Sequence, residues 1–161
     1  MKNPTSKEPN EPSHHGIGMV YSSVIIALAA KNEDINEGDA FLVIMRNDAE
    51  QAEAKIPEAK KSIEDCADAI SAAMRKRGLI VGNLSHRFIV EPLLYCDAAA
   101  LAQGVQNVTA LGSFKRQLEK VEDEEAFRED VFTYAKEYCE TDIEIAYNAI
   151  MSAIKIVGAT D

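Results

Sequence analysis

The sequence predicts an α+β fold that is rich in helix, with a small three-stranded mixed sheet and a predominantly helical C-terminal half. Apolar residues recur at steps of three and four along most of the chain, which is the spacing of one helix face. Short apolar runs bounded by turn residues interrupt this pattern in the first half, as strands do. The chain has 161 residues, 47% of them apolar, which suffices to bury one hydrophobic core.

The chain divides into an extended polar arm over residues 1–16 and a single α+β domain over residues 17–161. The arm consists mainly of Pro, Ser, Asn, Lys and Glu with a His pair, and it cannot bury enough apolar surface to fold alone. We expect it to lie on a partner or on a neighbouring copy.

The first helix is predicted from about Ile17 to Lys31. Its apolar run, Met19–Ala30, ends in small residues and looks like a secretory signal. The residues before it carry glutamates as well as lysines, however, whereas a secretory signal begins with a basic region. The run is also too short to cross a bilayer as a helix, so we interpret it as a core helix.

Three segments predict the strands. Phe41–Arg46 is a short, continuously apolar run, which is typical of a buried strand. Leu79–Val81 and Leu84–Val90 flank the two-residue turn Gly82-Asn83 and predict a hairpin. Because a helix separates the first strand from the second, we expect those two strands to lie parallel.

The helix between these strands is predicted to begin after an N-cap at Asp48 and to end at Gly78. An acidic loop over Asn32–Asp39 precedes the first strand. Pro57 removes a backbone donor and is expected to restart or kink the helix. A basic last turn followed by glycine is the pattern of a helix C-terminus.

The C-terminal half is predicted to be helical from Pro92 onward. One helix runs from Pro92 to about Gln103, and Asn107 caps the next. Asp123 starts a long helix to about Val157, with apolar residues on two faces. A helix that is apolar on two faces is buried between neighbours, within its own fold or across an oligomer.

The charge balance is acidic and uneven, with 27 acidic against 17 basic residues and a net charge of −10. Such a surface repels phosphate backbones, so nucleic-acid binding is disfavoured. Residues 69–90 contain four basic residues and no acidic one. From Glu119 onward, by contrast, the chain contains twelve acidic and only four basic residues. This asymmetry favours head-to-tail contacts between copies or with a partner; the alternative is that both are ordinary solvated faces. The four basic residues are Arg75, Lys76, Arg77 and Arg87.

The three cysteines, Cys66, Cys96 and Cys139, are odd in number and widely spaced. A disulfide framework or a zinc site needs paired or clustered cysteines. We therefore expect buried thiols in a reducing, cytoplasmic setting.

The histidines offer little chemistry. His14 and His15 lie in the polar arm without further ligands at the spacing that a metal site needs. His86 lies on the apolar face of a predicted strand, where a hydrogen-bonded imidazole is expected rather than a general base. Phosphate-binding glycine loops and the Gly-x-Ser-x-Gly motif do not occur in the sequence. No catalytic, cofactor-binding or metal-ligating residue is therefore predicted, and no cofactor.

Two carboxylate pairs, Glu50 with Glu53 and Asp65 with Asp68, could face each other across Pro57. Over these four residues alone, they resemble the pairs that hold Mg²⁺ in the helical nucleotide pyrophosphohydrolases. The resemblance implies a Mg²⁺-dependent hydrolase, provided that the four carboxylates converge. The alternative is that they lie on solvated helix faces.

A helix-turn-helix pattern is a further alternative. Ala100, Gly104, Val105 and the start of the segment Thr109–Arg116 occupy the positions of its small residue, turn glycine and recognition helix. Two positions that should lock the helices together with bulky apolar side chains hold alanine and serine instead. An ordinary corner between two helices explains the pattern equally well.

The middle of the chain combines several features in a fixed order. The strand Phe41–Arg46 ends in arginine and leads into a helix with Glu53-Ala54-Lys55 and Ala69–Met74, and a hairpin with Arg87-Phe88 follows. Together with the first helix, residues 17–95 resemble bacteriophage tail-terminator and head–tail connector proteins, which are small α+β subunits. The resemblance implies a non-catalytic subunit of a ring at a tail or neck junction.

The sequence therefore favours a non-enzymatic assembly or adaptor protein, with a virion structural subunit as its most specific form. We expect protein partners, either further copies in a homo-oligomer or neighbouring subunits, and no membrane association. The Mg²⁺-dependent hydrolase is one alternative. The other is a small regulator that binds DNA, or that inhibits a basic partner through the acidic C-terminal helix.

Overall fold

A computed structural model of the chain describes residues 19–79, 89–96, 98–103 and 109–158. Within these ranges most residues are helical and none is in a strand. The predicted α+β class with a three-stranded sheet is therefore wrong, and the described part of the chain is all-α. Its helices are α1 (Met19–Glu33), α2 (Glu37–Lys76), α3 (Val90–Tyr95), α4 (Ala98–Gln103), α5 (Thr109–Leu118), α6 (Glu124–Tyr138) and α7 (Glu144–Ile156).

The predicted strand Phe41–Arg46 lies inside α2, a helix of 40 residues. A short apolar run fits a helix as well as a strand, and the residues before it decide between the two. Asn36 has extended backbone angles, φ −77° and ψ 166°, and its side chain accepts a hydrogen bond from the backbone N–H of Asp39 at 2.8 Å. This N-cap and an acidic first turn start the helix well before the cap predicted at Asp48.

Pro57 lies within α2, and the helix does not restart there. Proline removes one backbone donor and costs roughly 3 kcal/mol in a helix interior. The residues on either side are mostly Ala, Glu, Lys and Gln. All four have high helix propensity, which favours continuing the helix through the proline.

The C-terminus of α2 confirms the prediction that Gly78 ends this helix. Gly78 has a positive φ of 74°, and its N–H donates to the carbonyl oxygen of Arg75 at 3.0 Å. The N–H of Leu79 donates to the carbonyl oxygen of Met74 at 3.1 Å. These two bonds form a Schellman motif, in which a glycine at positive φ satisfies the last carbonyl groups of a helix.

The hairpin predicted after Gly78 lies mostly on residues 80–88, outside the described residues. Leu79 has no regular structure, and Val90 begins α3 instead of ending a strand. The polar arm, residues 1–16, also lies outside the described residues, so the prediction that it docks on another chain stays a prediction.

The C-terminal helices are shorter than predicted. The helix expected between residues 92 and 103 is observed as α3 and α4, and the cap expected at Asn107 lies outside the described residues. The long helix expected to run from Asp123 to Val157 is divided into α6 and α7 by residues 139–143. Its N-cap is confirmed, because the Oδ1 of Asp123 accepts a hydrogen bond from the N–H of Ala126 at 3.0 Å.

Helices α1, α2, α6 and α7 surround the main hydrophobic core, and the short helices lie at its margins, α3 on α1 and α2, and α4 and α5 on α7. Arg77 at the end of α2 pairs with Asp130 within α6, whereas Asp65 earlier in α2 bonds Thr141 just beyond α6. These two helices are therefore antiparallel. None of the described helices is both long and apolar enough to span a membrane. The largest fully buried side chains are Phe114, Phe127, Ile63, Ile70, Met74, Ile89, Leu93, Leu101, Leu111, Ile150, Val20 and Val24.

Two glycines should give stability changes of opposite sign when each is replaced by alanine. Gly78→Ala places a Cβ at φ 74°, which costs about 1–2 kcal/mol. Gly112 lies inside α5, and an added Cβ would lie 3.6 Å from the nearest atom, on Arg116. Gly112→Ala should therefore raise the free energy of unfolding by about 0.5–1 kcal/mol. Urea unfolding followed by circular dichroism measures the free energy of unfolding of both variants. A Gly78→Ala variant as stable as the wild type would contradict the Schellman motif.

Candidate functional site

A polar cluster surrounds Asp65, which lies in α2 and is itself buried, with 4% of its surface exposed. Its Oδ2 accepts hydrogen bonds from the Oγ1 and the backbone N–H of Thr141, at 2.7 and 3.2 Å. Its Oδ1 lies 3.1 Å from the Nζ of Lys61. We call Asp65, Thr141 and Lys61 the Asp65 clamp. Both oxygens of the carboxylate have partners, and the clamp joins α2 to the break between α6 and α7.

Further contacts hold the same break. The hydroxyl of Ser62, which is also buried, donates to the carbonyl oxygen of Asp142 at 3.1 Å. The carboxylate of Asp142 lies 3.5 Å from the Nζ of Lys31 in α1 and accepts a hydrogen bond from the N–H of Glu144 at 2.9 Å. Short polar side chains that bond nearby backbone compete with helix formation. Thr141 and Asp142 therefore explain why the chain leaves the helix here.

The pKa of the Asp65 carboxyl is lowered from its usual value of 3.8. Burial acts in the opposite direction and is the largest single influence, because it disfavours the charged form. The hydrogen bonds from Thr141 and Lys61 and the charge of Lys61 together outweigh it. Asp65 is thus ionised at neutral pH, and its oxygens already accept the donors around them. The arrangement holds the fold and leaves no open side for a substrate proton.

The four carboxylates considered for a Mg²⁺ site lie along one helix. Glu50, Glu53, Asp65 and Asp68 could face each other only if the chain reversed near Pro57, and α2 continues through that residue. Glu53 and Asp65 are separated by about 18 Å of helix rise, at about 1.5 Å per residue. Asp65 is engaged in the clamp, and Asp68 is exposed. In the ranges that the structure describes, no group of His, Cys, Asp and Glu side chains is arranged to hold a metal ion.

The three cysteines are free thiols, of which Cys66 and Cys96 are buried and Cys139 is partly exposed. The Sγ of Cys139 donates to the carbonyl oxygen of Asp65 at 3.5 Å. Burial raises the pKa of Cys66, and burial together with the carboxylates of Asp65 and Asp68 raises the pKa of Cys139 to about 11. A thiol with a raised pKa is little ionised at neutral pH and is a poor nucleophile.

The basic residues that end α2, Arg75, Lys76 and Arg77, have partners within the chain, and we call them the basic turn. The Nη1 of Arg77 lies 2.8 Å from Asp130 Oδ2, and the Nζ of Lys76 lies 3.2 Å from Asp130 Oδ1. These contacts lower the pKa of Asp130, chiefly through the hydrogen bond from Arg77. Arg75 bonds the hydroxyl of Ser71. Two of the four basic residues of the island, Lys76 and Arg77, therefore pair with α6 of the same molecule.

Most acidic side chains of the C-terminal half are exposed, although Asp142 pairs with Lys31 and the Oε2 of Glu144 lies 3.9 Å from the Nη2 of Arg128. Residues 119–144, which we call the acidic segment, contain eleven acidic and three basic residues. Ten of the eleven acidic residues are exposed, and the exception is Asp130, which pairs with the basic turn. The exposed ones are Glu119, Glu122, Asp123, Glu124, Glu125, Glu129, Glu137, Glu140, Asp142 and Glu144.

The segment considered as a recognition helix, Thr109–Arg116, forms most of α5. One of its two basic side chains is used within the fold. The Nζ of Lys115 donates to the carbonyl oxygens of Val157 at 2.9 Å and of Lys155 at 3.4 Å, at the end of α7. A lysine in this position satisfies carbonyl groups that have no partner within their own helix. The turn before α5, residues 104–108, lies outside the described residues.

The sequence does not predict the Asp65 clamp. It groups Asp65 with Asp68 as a solvated or metal-binding pair, although the two differ in burial. The only signal is the polar pair Thr141-Asp142, which interrupts an otherwise helical pattern with residues that favour caps and turns. The histidines His14, His15 and His86, and Arg87 of the basic island, lie outside the described residues.

Asp65→Asn should lower the free energy of unfolding at pH 7 by about 1–3 kcal/mol, because an amide cannot replace a buried carboxylate between these donors. The lowered pKa also fixes the pH dependence. A carboxyl whose folded pKa lies below its unfolded value of 3.8 stabilises the fold above that value, and the contribution is lost as the pH falls through the folded pKa. In urea titrations, the difference in the free energy of unfolding between the wild type and Asp65→Asn should therefore become smaller below about pH 4.

Asp68→Asn is the matched control for this experiment, since Asp68 lies on the same helix but is exposed. It should change the free energy of unfolding by less than about 0.5 kcal/mol. A gap between wild type and Asp65→Asn that stays constant down to pH 2.5 would contradict the ionised clamp.

Cys139 should react slowly with iodoacetamide in the folded protein. With a pKa of about 11 against the usual 9.0, its thiolate fraction at pH 8 is lowered roughly 100-fold. Mass spectrometry of tryptic peptides gives the alkylation rate at each cysteine, and the same reaction in denaturant gives the reference rate. Alkylation of Cys139 at the denatured rate, with the protein still folded, would show that its thiol is not protected.

Comparison with known proteins identifies no relative. No protein-family model matches the chain, no curated protein is similar to it, and no solved structure matches it. The resemblance to tail-terminator and connector proteins therefore stays a prediction, and the first of its features, the strand Phe41–Arg46, is helical.

Proposed function

We propose that this chain is a non-enzymatic adaptor or assembly protein that binds a basic surface of another protein through its acidic segment. Ten of the eleven carboxylates between residues 119 and 144 are exposed, and this exposure carries the proposal. A surface with a large excess of one charge sign speeds the association of an oppositely charged partner and discriminates against like-charged ones.

The pairing of charges within the chain supports a partner of a different kind. Lys76 and Arg77 contact Asp130, and Arg75 contacts Ser71. Lys76 and Arg77 of a second copy thus already pair with a carboxylate and are less available to the acidic segment. The net charge of −10 also opposes the approach of two acidic segments. A neighbouring subunit with a basic surface fits this face better than a second copy does.

The polar groups that come nearest to catalytic residues serve the fold, which supports a binding role. Asp65 is saturated by Thr141 and Lys61. The raised pKa values of Cys66 and Cys139 keep both thiols protonated. A general base or nucleophile needs a reactive form that is open to a substrate. Asp65 and Cys66 are buried, and the partly exposed Cys139 is protonated at neutral pH.

The partner-binding form of the regulator hypothesis is a close variant of this proposal, because it uses the same acidic surface. An inhibitor and an adaptor differ in what happens to the partner afterwards. In both cases the contact is electrostatic and should weaken as the salt concentration rises.

Affinity purification from cells of the source organism tests the proposal. The full chain and a variant with Glu129→Gln, Glu137→Gln and Glu140→Gln would each be captured at about 100 mM salt, where exposed charges within about 10 Å still interact. Quantitative mass spectrometry should find a basic protein retained by the wild type and reduced at least about fivefold by the variant. The retained protein should also be released as the salt concentration rises.

A second variant controls for the change in net charge. Glu33→Gln, Asp34→Asn and Glu58→Gln neutralise three exposed carboxylates outside the acidic segment and should leave the retained protein unchanged. Equal losses in both variants would mean that only net charge matters. That outcome would overturn the proposal, as would the absence of any protein that the acidic segment retains.

A further inference from the structure

We propose that Tyr134 and Tyr138, at the end of α6, receive an arginine side chain of the basic partner. Because this concerns a partner of the acidic segment, it rests on the proposed function. The two rings lie 4.8 Å apart between centroids and are tilted by 40°. We call this pair the tyrosine step.

The tyrosine step prolongs the core-facing stripe of α6 beyond the core. Phe127, Val131, Tyr134 and Tyr138 follow one another at steps of four, three and four, the spacing of a single helix face. Phe127 and Val131 are buried and Tyr134 is half-buried. Tyr138 has 66% of its surface exposed, and it is the only large hydrophobic residue that is exposed among the side chains that the structure describes. The stripe thus ends in an apolar ring that faces solvent.

The other aromatic rings of α6 each bind a guanidinium group. Arg77 lies over the ring of Phe127, 5.2 Å from its centroid, and Arg128 lies over the ring of Phe132 at 4.3 Å. No arginine or lysine of the described residues stacks on the tyrosine step. The tyrosine step is therefore a further aromatic surface on α6, a helix in which Phe127 and Phe132 each already hold an arginine.

The charges around the tyrosine step favour a cation as well. Glu137 and Glu140, next to Tyr138 in sequence, are exposed. The carboxylate of Asp68 and the ammonium group of Lys61 both act on the pKa of Cys139, the residue after Tyr138, so negative charges outnumber positive ones at this end of α6. The exposed ring of Tyr138 offers a stacking surface in this acidic surrounding, and the nearby carboxylates offer hydrogen-bond acceptors to a positively charged side chain.

Arginine fits this combination better than lysine does. Its planar guanidinium stacks on an aromatic face while its N–H groups point outward toward carboxylates, and it is less strongly hydrated than an ammonium group. Lysine is a compact, strongly hydrated charge that gains less from stacking. The step should therefore add a preference for arginine to the charge attraction of the whole acidic segment.

A nuclear magnetic resonance titration of the full-length chain tests this inference. The probes are two peptides of Gly and Ser that carry either three arginines or three lysines, and the ring signals of Tyr138 report binding. The arginine peptide should bind about two- to fivefold more tightly, as expected for a cation–π contact at an exposed site. Tyr138→Ala should remove this preference, and Tyr138→Phe should retain it. Because Tyr138 is largely exposed, both variants should stay folded.

The outcomes separate this inference from the proposed function. Glu137→Gln with Glu140→Gln should weaken both peptides to a similar extent and leave the ratio of their affinities unchanged. Equal affinities of the two peptides for the wild type, or shifts from the arginine peptide that avoid Tyr138, would overturn the role of the tyrosine step. The proposal that the acidic segment binds a basic partner would then depend on the affinity purification alone. A dimer of the free chain in light scattering that Tyr138→Ala abolishes would assign the step to a second copy and also overturn the inference.

Discussion

The path of the C-terminal half depends on one buried carboxylate. Without an acceptor on α2, the N–H and hydroxyl of Thr141 would have to be solvated or bonded within a continuous helix. Asp65 supplies that acceptor. One turn earlier in α2, the hydroxyl of Ser62 donates to the carbonyl oxygen of Asp142, the residue after Thr141. The chain consequently leaves the helix between α6 and α7, and α7 lies against α1 and α2 instead of continuing along the axis of α6. A buried charge is tolerated here because it is fully hydrogen-bonded.

The charged residues at the α2–α6 contact and in the acidic segment fall into two groups, according to whether they pair within the chain. Charges near the antiparallel contact of α2 and α6 neutralise each other, as Asp130 does with the basic turn. The other charged residues of 119–144 are exposed, ten of them acidic and three basic. The asymmetry visible in the sequence is therefore partly internal, and an excess of exposed acidic residues is left for another molecule. This is why a partner with a basic surface is favoured over head-to-tail contacts between copies.

Local signals in the sequence predict helix ends better than they predict the fold class. Gly78 and Asp123 act at helix termini as expected, because their roles depend only on neighbouring backbone. Phe41–Arg46 is wrongly predicted as a strand, since its five consecutive apolar residues show no periodicity and the cap at Asn36 lies outside the run. The break at residues 139–143 could not be predicted, because its acceptor lies 76 residues away in the sequence. The exposure of Tyr138 is missed for a related reason: the pattern of a helix face does not show where the core beneath it ends.

The end of α7 is hydrogen-bonded to two other helices, although it lies near the C-terminus. Lys115 of α5 donates to the carbonyl oxygens of Lys155 and Val157, and the N–H of Gly158 donates to the carbonyl oxygen of Leu101 in α4 at 3.0 Å. The two short helices α4 and α5 pack chiefly on α7. Besides the core side chains Leu101, Leu111 and Phe114, both short helices thus depend on hydrogen bonds to the last turn of α7. Fraying of that turn would remove hydrogen-bond partners from both helices at once.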